Sequence, residues 1–280
     1  MTIFEAVQKA VKCLDDNHVP DPDIDAMLLL HSVCGIDRAA YYARADDELP
    51  DAELYLEKVR LRSSRIPLQQ ITGEQYFCGL RFKVTKDVLC PRQDTETLVE
   101  EALKRIEPGG MFLDLCTGSG CIAVSLLCLG QRLSGCACDI SEEALKIAAS
   151  NAACHGVSGR LDLVRGDLFS AVSGSYDMIV SNPPYIRTDQ ISCLMEEVRD
   201  HEPHIALDGG TDGLVFYRRI LAGAGSYLKA GGWLLVEIGY DQGGAVRSMF
   251  DDAGYESVQV VKDLGGMDRV VLGQRRDLSV

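Results

Sequence analysis

The sequence predicts an α/β protein. A small all-α bundle over residues 1–70 and a β-hairpin connector over 71–90 precede a seven-stranded, mostly parallel sheet with helices on both faces over 91–280. Three observations lead there. Up to about residue 70, apolar residues recur at three- and four-residue spacing. Beyond residue 110, short apolar runs alternate with helical stretches, the pattern of strand–helix–strand units. Between the two regions, "QYF" and "LRFKV" flank a Cys-Gly turn signal.

In chain order, "IFEAVQKAVKCLDDN", "DIDAMLLLHSVCG" and "DAELYLEKVRLRSSR" are the helices of the bundle, separated at "VPDP", at Gly35 and at "ELP". Asp21 or Asp23 is placed to cap the second and Asp51 the third. After the hairpin, "DTETLVEEALKRI" opens a helix with Asp94 or Thr95 as cap and glutamates at the positive end of its dipole. The strands follow as "MFLDLC", "SGCACDI", "LDLVRGD", "YDMIVSN", "GWLLVEIG", "VQVVKD" and "RVVLGQ". Their helices are "GCIAVSLLCLG", "SEEALKIAASNAACHG", "GLVFYRRILAGAGSYLKAG" and "GGAVRSMFDDAG". Only "LGGMD" joins the last two strands, too short for a helical crossover, so these two pair antiparallel.

The 280 residues are 46% hydrophobic, enough for a sizeable core, and carry a formal net charge of −14 spread along the chain. Such a surface repels phosphate backbones, and no basic patch offsets it, so neither a nucleic acid nor a membrane is expected as a direct partner. No apolar stretch is long enough to cross a bilayer and none resembles a signal peptide. The eleven cysteines are odd in number and include no Cys-x-x-Cys pair, which reads as free thiols in the cytoplasm. Cys136 and Cys138 share one face of a strand and read as packed small hydrophobes, since no partner stands at a ligand spacing; no metal is expected.

In open α/β sheets the ligand lies beyond the carboxyl ends of the strands. The first strand runs into "DLCTGSG", where Gly118 and Gly120 let backbone approach a ligand; alone, this turn fits nucleotide-type binding and simple tight packing equally. The second ends at Asp139, placed to accept from ribose hydroxyls or to cap the next helix. The third ends in "RGDLF", where Asp167 suits an adenine amino group and Leu168 and Phe169 border its ring. The fourth ends in "SNPPYI". Neither proline can donate to a sheet, so the strand stops; the Asn182 side-chain oxygen and the Pro183 carbonyl become two acceptors on a stiff frame, suited to an NH2 group, with Tyr185 as an aromatic wall.

These residues resemble the seven-stranded methyltransferases that use S-adenosylmethionine, and within them the protein-glutamine methyltransferases of peptide chain release factors. "LQQITGEQYFCGLRFKVTKDVLCPRQDTETLVE", "DLCTGSGCIAVSL", "DISEEALKIAASNA", "SNPPYI", "EPHIALDGGTDGLVFYRRIL" and "EIGYDQG" each look like a family block, in family order. The resemblance implies a Rossmann-like sheet and methylation of the glutamine in the Gly-Gly-Gln tip of class I release factors, with S-adenosyl-L-homocysteine as product. It further implies docking of the release factor by the helical amino-terminal region. Carried over by position, Cys116, Thr117, Gly118, Ser119 and Gly120 would meet the methionine part of the cofactor, Asp139 the ribose, and Asp167 with Leu168 the adenine end. Asn182, Pro183, Pro184 and Tyr185 would hold the glutamine, Asn182 also bordering the cofactor and, with Pro183, serving as the catalytic pair. A monomer is expected. Two departures stand out: Cys116 replaces the loop's common first glycine, and Gln93 the second proline of "PRPDTE".

Two other enzymes fit parts of the pattern. A DNA adenine amino-methyltransferase would use the same grip, but acidity and the "PRQDTE" block weigh against it; a ribosomal-protein glutamine methyltransferase shares similar blocks, and the "DTE" wording favours the release-factor type. A non-catalytic cofactor binder would be expected to have lost "NPPY". Trp233 reads as strand packing; Glu237 and Gln242 receive no role; Arg92, His201 and His204 receive none that sequence alone decides.

Overall fold

A computed structural model describes residues 1–277, so positions 278–280 of the expected sheet region lie outside the described residues. The chain forms two compact units: Met1–Glu74 together with Met195–His201, and Gln75–Leu194 together with the chain from Glu202 onward.

The first unit is helical. In α1 (Ile3–Asp16) the buried Ile3, Ala6, Val7, Ala10 and Leu14 follow helical spacing, and Thr2 and Glu5 close a capping box over the first turn. α2 (Pro22–Cys34) starts with proline at its first turn and ends at Gly35, whose φ of +66° is left-handed. α3 (Arg38–Ala43), capped by Asp37, has six residues, too few for a periodic signal in sequence. α4 (Ala52–Ser63) and α5 (Leu68–Thr72) complete the bundle. The capping expectation is corrected here: Asp21 and Asp51 hold the cap positions of α2 and α4, but neither side chain bonds to its helix. Leu29, Leu30 and Tyr55 are fully buried in the bundle core, each aliphatic side chain contributing about 1.5–3 kcal/mol. Arg62 is buried with them. It donates to Asp25 at 2.6 Å and to Glu197 at 3.0 Å, so its charge is paired; Arg65 adds a second contact to Glu197 at 2.7 Å.

Beginning at Gln75, the second unit opens within β1 (Glu74–Phe77), which pairs with β2 (Leu80–Lys83) in a two-stranded sheet turning through Cys78 and Gly79, both at positive φ as a tight hairpin demands. The chain then runs through a tight turn into α6 (Glu96–Leu103). Neither expected cap forms: Asp94 pairs with Arg269 at 3.1 Å, and Thr95, 2% exposed, turns inward. There follow β3 (Met111–Leu115), α7 (Cys121–Leu129), β4 (Ser134–Asp139), α8 (Glu142–Cys154), β5 (Leu161–Arg165) and β6 (Tyr176–Ser181). After α9 (Glu196–His201), which belongs to the first unit, come α10 (Val215–Ala224), β7 (Leu228–Glu237), α11 (Gly243–Asp252), β8 (Tyr255–Lys262) and β9 (Asp268–Arg275).

The seven-stranded sheet runs in the order β5-β4-β3-β6-β7-β9-β8; only the β7–β9 and β8–β9 pairs are antiparallel. Successive residues serve opposite cores. Met178 and Val180 pack with α6 and α7 residues such as Leu98 and Ile122, whereas Ile179, Leu234 and Val236 pack with Tyr217, Ile220 and Phe250 from α10 and α11. α10 stops at Ala224, earlier than its sequence suggests, and Leu228–Gly232 joins β7, pairing Leu228 with Tyr176. Glycines at 223, 225, 231 and 232 make that stretch a poor helix, and a ladder partner is available. Because β4 leaves β3 on one side and β6 lies on the other, the order reverses between β3 and β6, and a crevice opens at their carboxyl ends.

Candidate active site

One cleft collects the turns after four successive strands: Cys116 to Ser119 after β3, Asp139 to Ser141 after β4, Gly166 to Leu168 after β5, and Asn182 with Pro184 after β6. Val88, Pro91, Arg92 and Thr95 line another side, and Ile205, Phe216 and Arg219 a third.

The β3 turn is shaped by its backbone. Cys116 and Gly118 have φ of +59° and +55°. A left-handed non-glycine residue costs about 1–2 kcal/mol, so Cys116 carries strain where glycine would carry none. A Cβ at Gly118 would meet no atom within 4 Å, which leaves space beside the backbone for a ligand. Gly120 has another task. It is absent from the cleft lining, and a Cβ there would lie 2.9 Å from the Cβ of Ala148, so it lets α7 approach α8. Beneath the turn Asp114 is fully buried, accepts from Thr117 Oγ1 at 2.6 Å, and has one oxygen without a partner. Burial pushes its carboxyl up to about 7, the Thr117 bond opposing. Burial also raises the Cys116 thiol, as do Asp139 and Asp114, leaving it protonated and unreactive.

Asp139 ties two strand ends together: Gly118 N–H donates to its Oδ2 at 2.8 Å and Ser141 N–H to its Oδ1 at 2.9 Å. Ser141 caps α8 itself, so the carboxylate is not the cap. Desolvation raises the Asp139 pKa against those hydrogen bonds. Asp139 lines the cleft, and a carboxylate oxygen has a second lone pair with which to accept from a ligand. Asp167 also lines it, but its carboxylate pairs with Arg219 at 2.8 Å; Leu168 holds φ +51° and is 6% exposed. Room at Gly118, an acceptor at Asp139 and a polar-rimmed slot at Asp167–Leu168 fit a nucleoside joined to a short polar chain.

At the end of β6, Asn182 donates through Nδ2 to Thr95 Oγ1 at 3.3 Å, leaving its Oδ1 free to accept. Among the described residues no donor engages the Pro183 carbonyl. The loop is pinned from behind. Gln242 Nε2 donates to the Tyr185 carbonyl at 2.9 Å, and a Cβ at Gly209 would lie 2.7 Å from the Tyr185 backbone. Pro183 and Tyr185 do not line the cleft. The Tyr185 side chain packs against the sheet core instead, where burial raises its pKa, the Glu237 carboxylate adding to the rise.

Sequence reasoning missed Glu237 and Thr95. Glu237 ends β7, is 1% exposed, and its Oε2 has no hydrogen-bond partner. Burial raises its carboxyl to about 7, opposed by Thr95 and the nearby Arg269. The signal was present: an acidic residue closing the apolar run "WLLVEIG". Arg92 lines the cleft and donates to buried Glu202 at 2.7 Å, so its charge is matched. His201 and His204 do not line the cleft; the first lies in the helical unit, where its carbonyl accepts from Gln70. Trp233 packs on the sheet core beneath the Arg105 guanidinium. Cys136 and Cys138 are buried, the Cys138 thiol donating to the Leu168 carbonyl at 3.1 Å.

Two family models match the chain: a methyltransferase small domain over residues 92–209 and a PrmC N-terminal domain over residues 5–73. The chain is 45% identical over 273 residues to a release factor glutamine methyltransferase of Cereibacter sphaeroides, covering 97% of this chain and 98% of the relative. It is 42% identical over 283 residues to one of Moorella thermoacetica, covering 99% and 100%. A methyltransferase structure from Pyrococcus furiosus shares the fold, with a TM-score of 0.55 at 18% identity over 71% of this chain and 91% of that one.

Proposed function

The chain belongs to the release factor glutamine methyltransferases, and we propose that Asn182 and Pro183 are its grip on the substrate amide. The reaction methylates the side-chain amide nitrogen of a release-factor glutamine, in our reading the glutamine of the Gly-Gly-Gln tip of class I factors. S-adenosylmethionine, when bound, supplies an electrophilic methyl on a sulfonium and departs as S-adenosyl-L-homocysteine. Cys116 to Ser119 would hold its methionine part, Asp139 its ribose, and Asp167 with Leu168 its adenine end.

The remaining demand falls on placement, because an amide nitrogen is a poor nucleophile with its lone pair delocalised into the carbonyl. Asn182 Oδ1 and the Pro183 carbonyl accept the two amide hydrogens and aim the nitrogen. As positive charge develops there, both fixed dipoles stabilise it and favour loss of planarity. The proton leaves after transfer, so no strong general base is needed. The single observation that carries this reading is the Asn182 amide bonded to Thr95 through nitrogen, which leaves the oxygen as acceptor beside an unengaged Pro183 carbonyl.

We place the helical unit as the docking element for the release factor and the enzyme in the cytoplasm as a monomer. The net charge of −14 argues against a nucleic-acid partner. The test is the mass of a release-factor tip peptide, and of the full-length factor, after incubation with cofactor. One added methyl on the glutamine is expected, with the full-length factor reacting faster. Methylation of a ribosomal-protein glutamine or a DNA adenine in its place would overturn the substrate.

A further inference from the structure

We infer that the turn between β8 and β9, with Leu264 at its tip, is a docking contact for the release factor beside the cleft that takes its glutamine. This rests on the reading that a release-factor glutamine enters at Asn182, and it adds a surface that the protein around that glutamine meets. The sheet sets the turn where a bound substrate must lie. β7 runs parallel to β6, β9 antiparallel to β7 and β8 antiparallel to β9, so β8 ends at the same edge of the sheet as β6, the edge that carries Asn182. Neighbouring strands lie about 4.8 Å apart, and two to three strand widths put the turn roughly 12 Å to the side of Asn182. A protein contact of ordinary size, about 800 Å2 on each partner, spans that distance.

The turn is built to hold its shape. Asp263 N–H donates to the Met267 carbonyl at 2.9 Å, and Met267 N–H returns to Asp263 Oδ1 at 3.0 Å. The other Asp263 oxygen accepts from Arg269 Nε at 3.1 Å, and Arg269 also holds Asp94 at 3.1 Å, between cleft-lining Arg92 and Thr95. None of these bonds uses the Leu264 side chain, which is 99% exposed and belongs to none of the hydrophobic cores. Turns ordinarily carry polar residues or glycine; a leucine there gains nothing from folding. Met267 is 44% exposed beside it. Tyr240, 62% exposed, extends the apolar surface toward the cleft. Its loop joins the hairpin base, where Ile238 N–H donates to the Arg269 carbonyl at 2.9 Å, and reaches the Asn-Pro-Pro-Tyr loop through Gln242, which donates to the Tyr185 carbonyl at 2.9 Å. Charges around the tip are spent internally, Lys262 on Asp268 at 2.7 Å and Asp263 on Arg269, so the tip offers a partner carbon rather than charge. The occupant is the substrate: a release factor delivering its glutamine to Asn182 covers this rim, and the patch suits an apolar area of the factor flanking its tip.

The experiment compares wild type, Leu264→Ser and the double variant Leu264→Ser with Met267→Ser on two substrates. One is full-length release factor; the other is a peptide of the Gly-Gly-Gln tip with one residue on either side. At full extension that peptide reaches about 10 Å from its glutamine, short of the turn. Leu264→Ser is expected to raise KM for the full-length factor about 5–20-fold at unchanged kcat, the mark of lost uniform binding, and the double variant to raise it further. Turnover of the peptide, and calorimetric affinity for S-adenosyl-L-homocysteine, are expected within about twofold of wild type, which also shows that the variants fold. A wild-type KM for the full-length factor in the double variant overturns the docking contact, as does an equal loss on the peptide or a loss of cofactor-product affinity. The wild-type arm keeps the two readings apart. Methyl transfer to neither substrate sinks the substrate reading and the contact with it, whereas transfer to the full-length factor that the double variant matches sinks the contact alone.

Discussion

Replacing Asn182 by alanine separates the substrate grip from every other role of the cleft. In the resting protein Asn182 makes one side-chain hydrogen bond to protein, 3.3 Å long, to Thr95. Losing it, and leaving Thr95 Oγ1 without that donor, costs about 1 kcal/mol of folding stability, a shift of roughly 2–4 °C in Tm for a chain of this size. During transfer the same side chain opposes developing positive charge on the nitrogen. Removing one preorganised group of that kind costs ~2.7–4 kcal/mol of transition-state stabilisation, or roughly 100- to 1,000-fold in rate. The gap between those effects is the signature. Single-turnover transfer of tritiated methyl to full-length release factor, at saturating cofactor, reads the chemical step. Titration calorimetry with S-adenosyl-L-homocysteine on the same preparation reads the cofactor side, where little change is expected. A variant turning over within about threefold of wild type would refute the grip. A slow variant whose whole deficit lies in cofactor affinity would move Asn182 to the cofactor site.

Other consequences are as specific. Asp139→Ala removes an acceptor of two backbone N–H groups and should weaken S-adenosyl-L-homocysteine binding on the order of 10–100-fold, as expected for hydrogen bonds to a charged group; unchanged affinity by calorimetry would take Asp139 out of the ribose role. Gly120→Ala forces a Cβ to 2.9 Å from Ala148 at φ +77°, and chemical denaturation should show a loss of about 1–3 kcal/mol. The buried Glu237 carboxyl titrates at about 7 against an ordinary 4.5. Its contribution to stability is complete below pH about 4.5 and is lost as pH rises through about 7, a span worth about 3 kcal/mol. Glu237→Gln should therefore flatten the fall in Tm between pH 5 and 8, and parallel wild-type and variant profiles would show that the carboxyl does not titrate there.

Much of this was legible before any coordinates. The alternation of strands and helices beyond residue 110, the short "LGGMD" link and the Cys-Gly turn correspond to the observed sheet, its antiparallel edge and its hairpin. They could be read because each depends on neighbours within a few residues. The strand ends, too, announced themselves: Asp139 and Asn182 line the cleft where their strands stop. Reading faltered where a side chain had two partners to choose between. Asp94 and Thr95 suit a helix cap by type, yet Arg269 claims the first and Asn182 the second. Gly120 suits a ligand loop, yet the distance to Ala148 gives it to helix packing. Tyr185 suits an aromatic wall, yet it packs against the sheet core and does not line the cleft.

The sequence by itself determined the order of the elements, the positions of the strand ends and the presence of an amide flanked by prolines, because local periodicity and proline stereochemistry act within the chain segment that carries them. Which way that amide faces was decided only in three dimensions. Thr95 and Asn182 lie 87 residues apart along the chain. Only the sheet, by setting β6 beside β7 and α6 against them, brings the Thr95 hydroxyl to the Asn182 amide nitrogen and leaves the asparagine oxygen free.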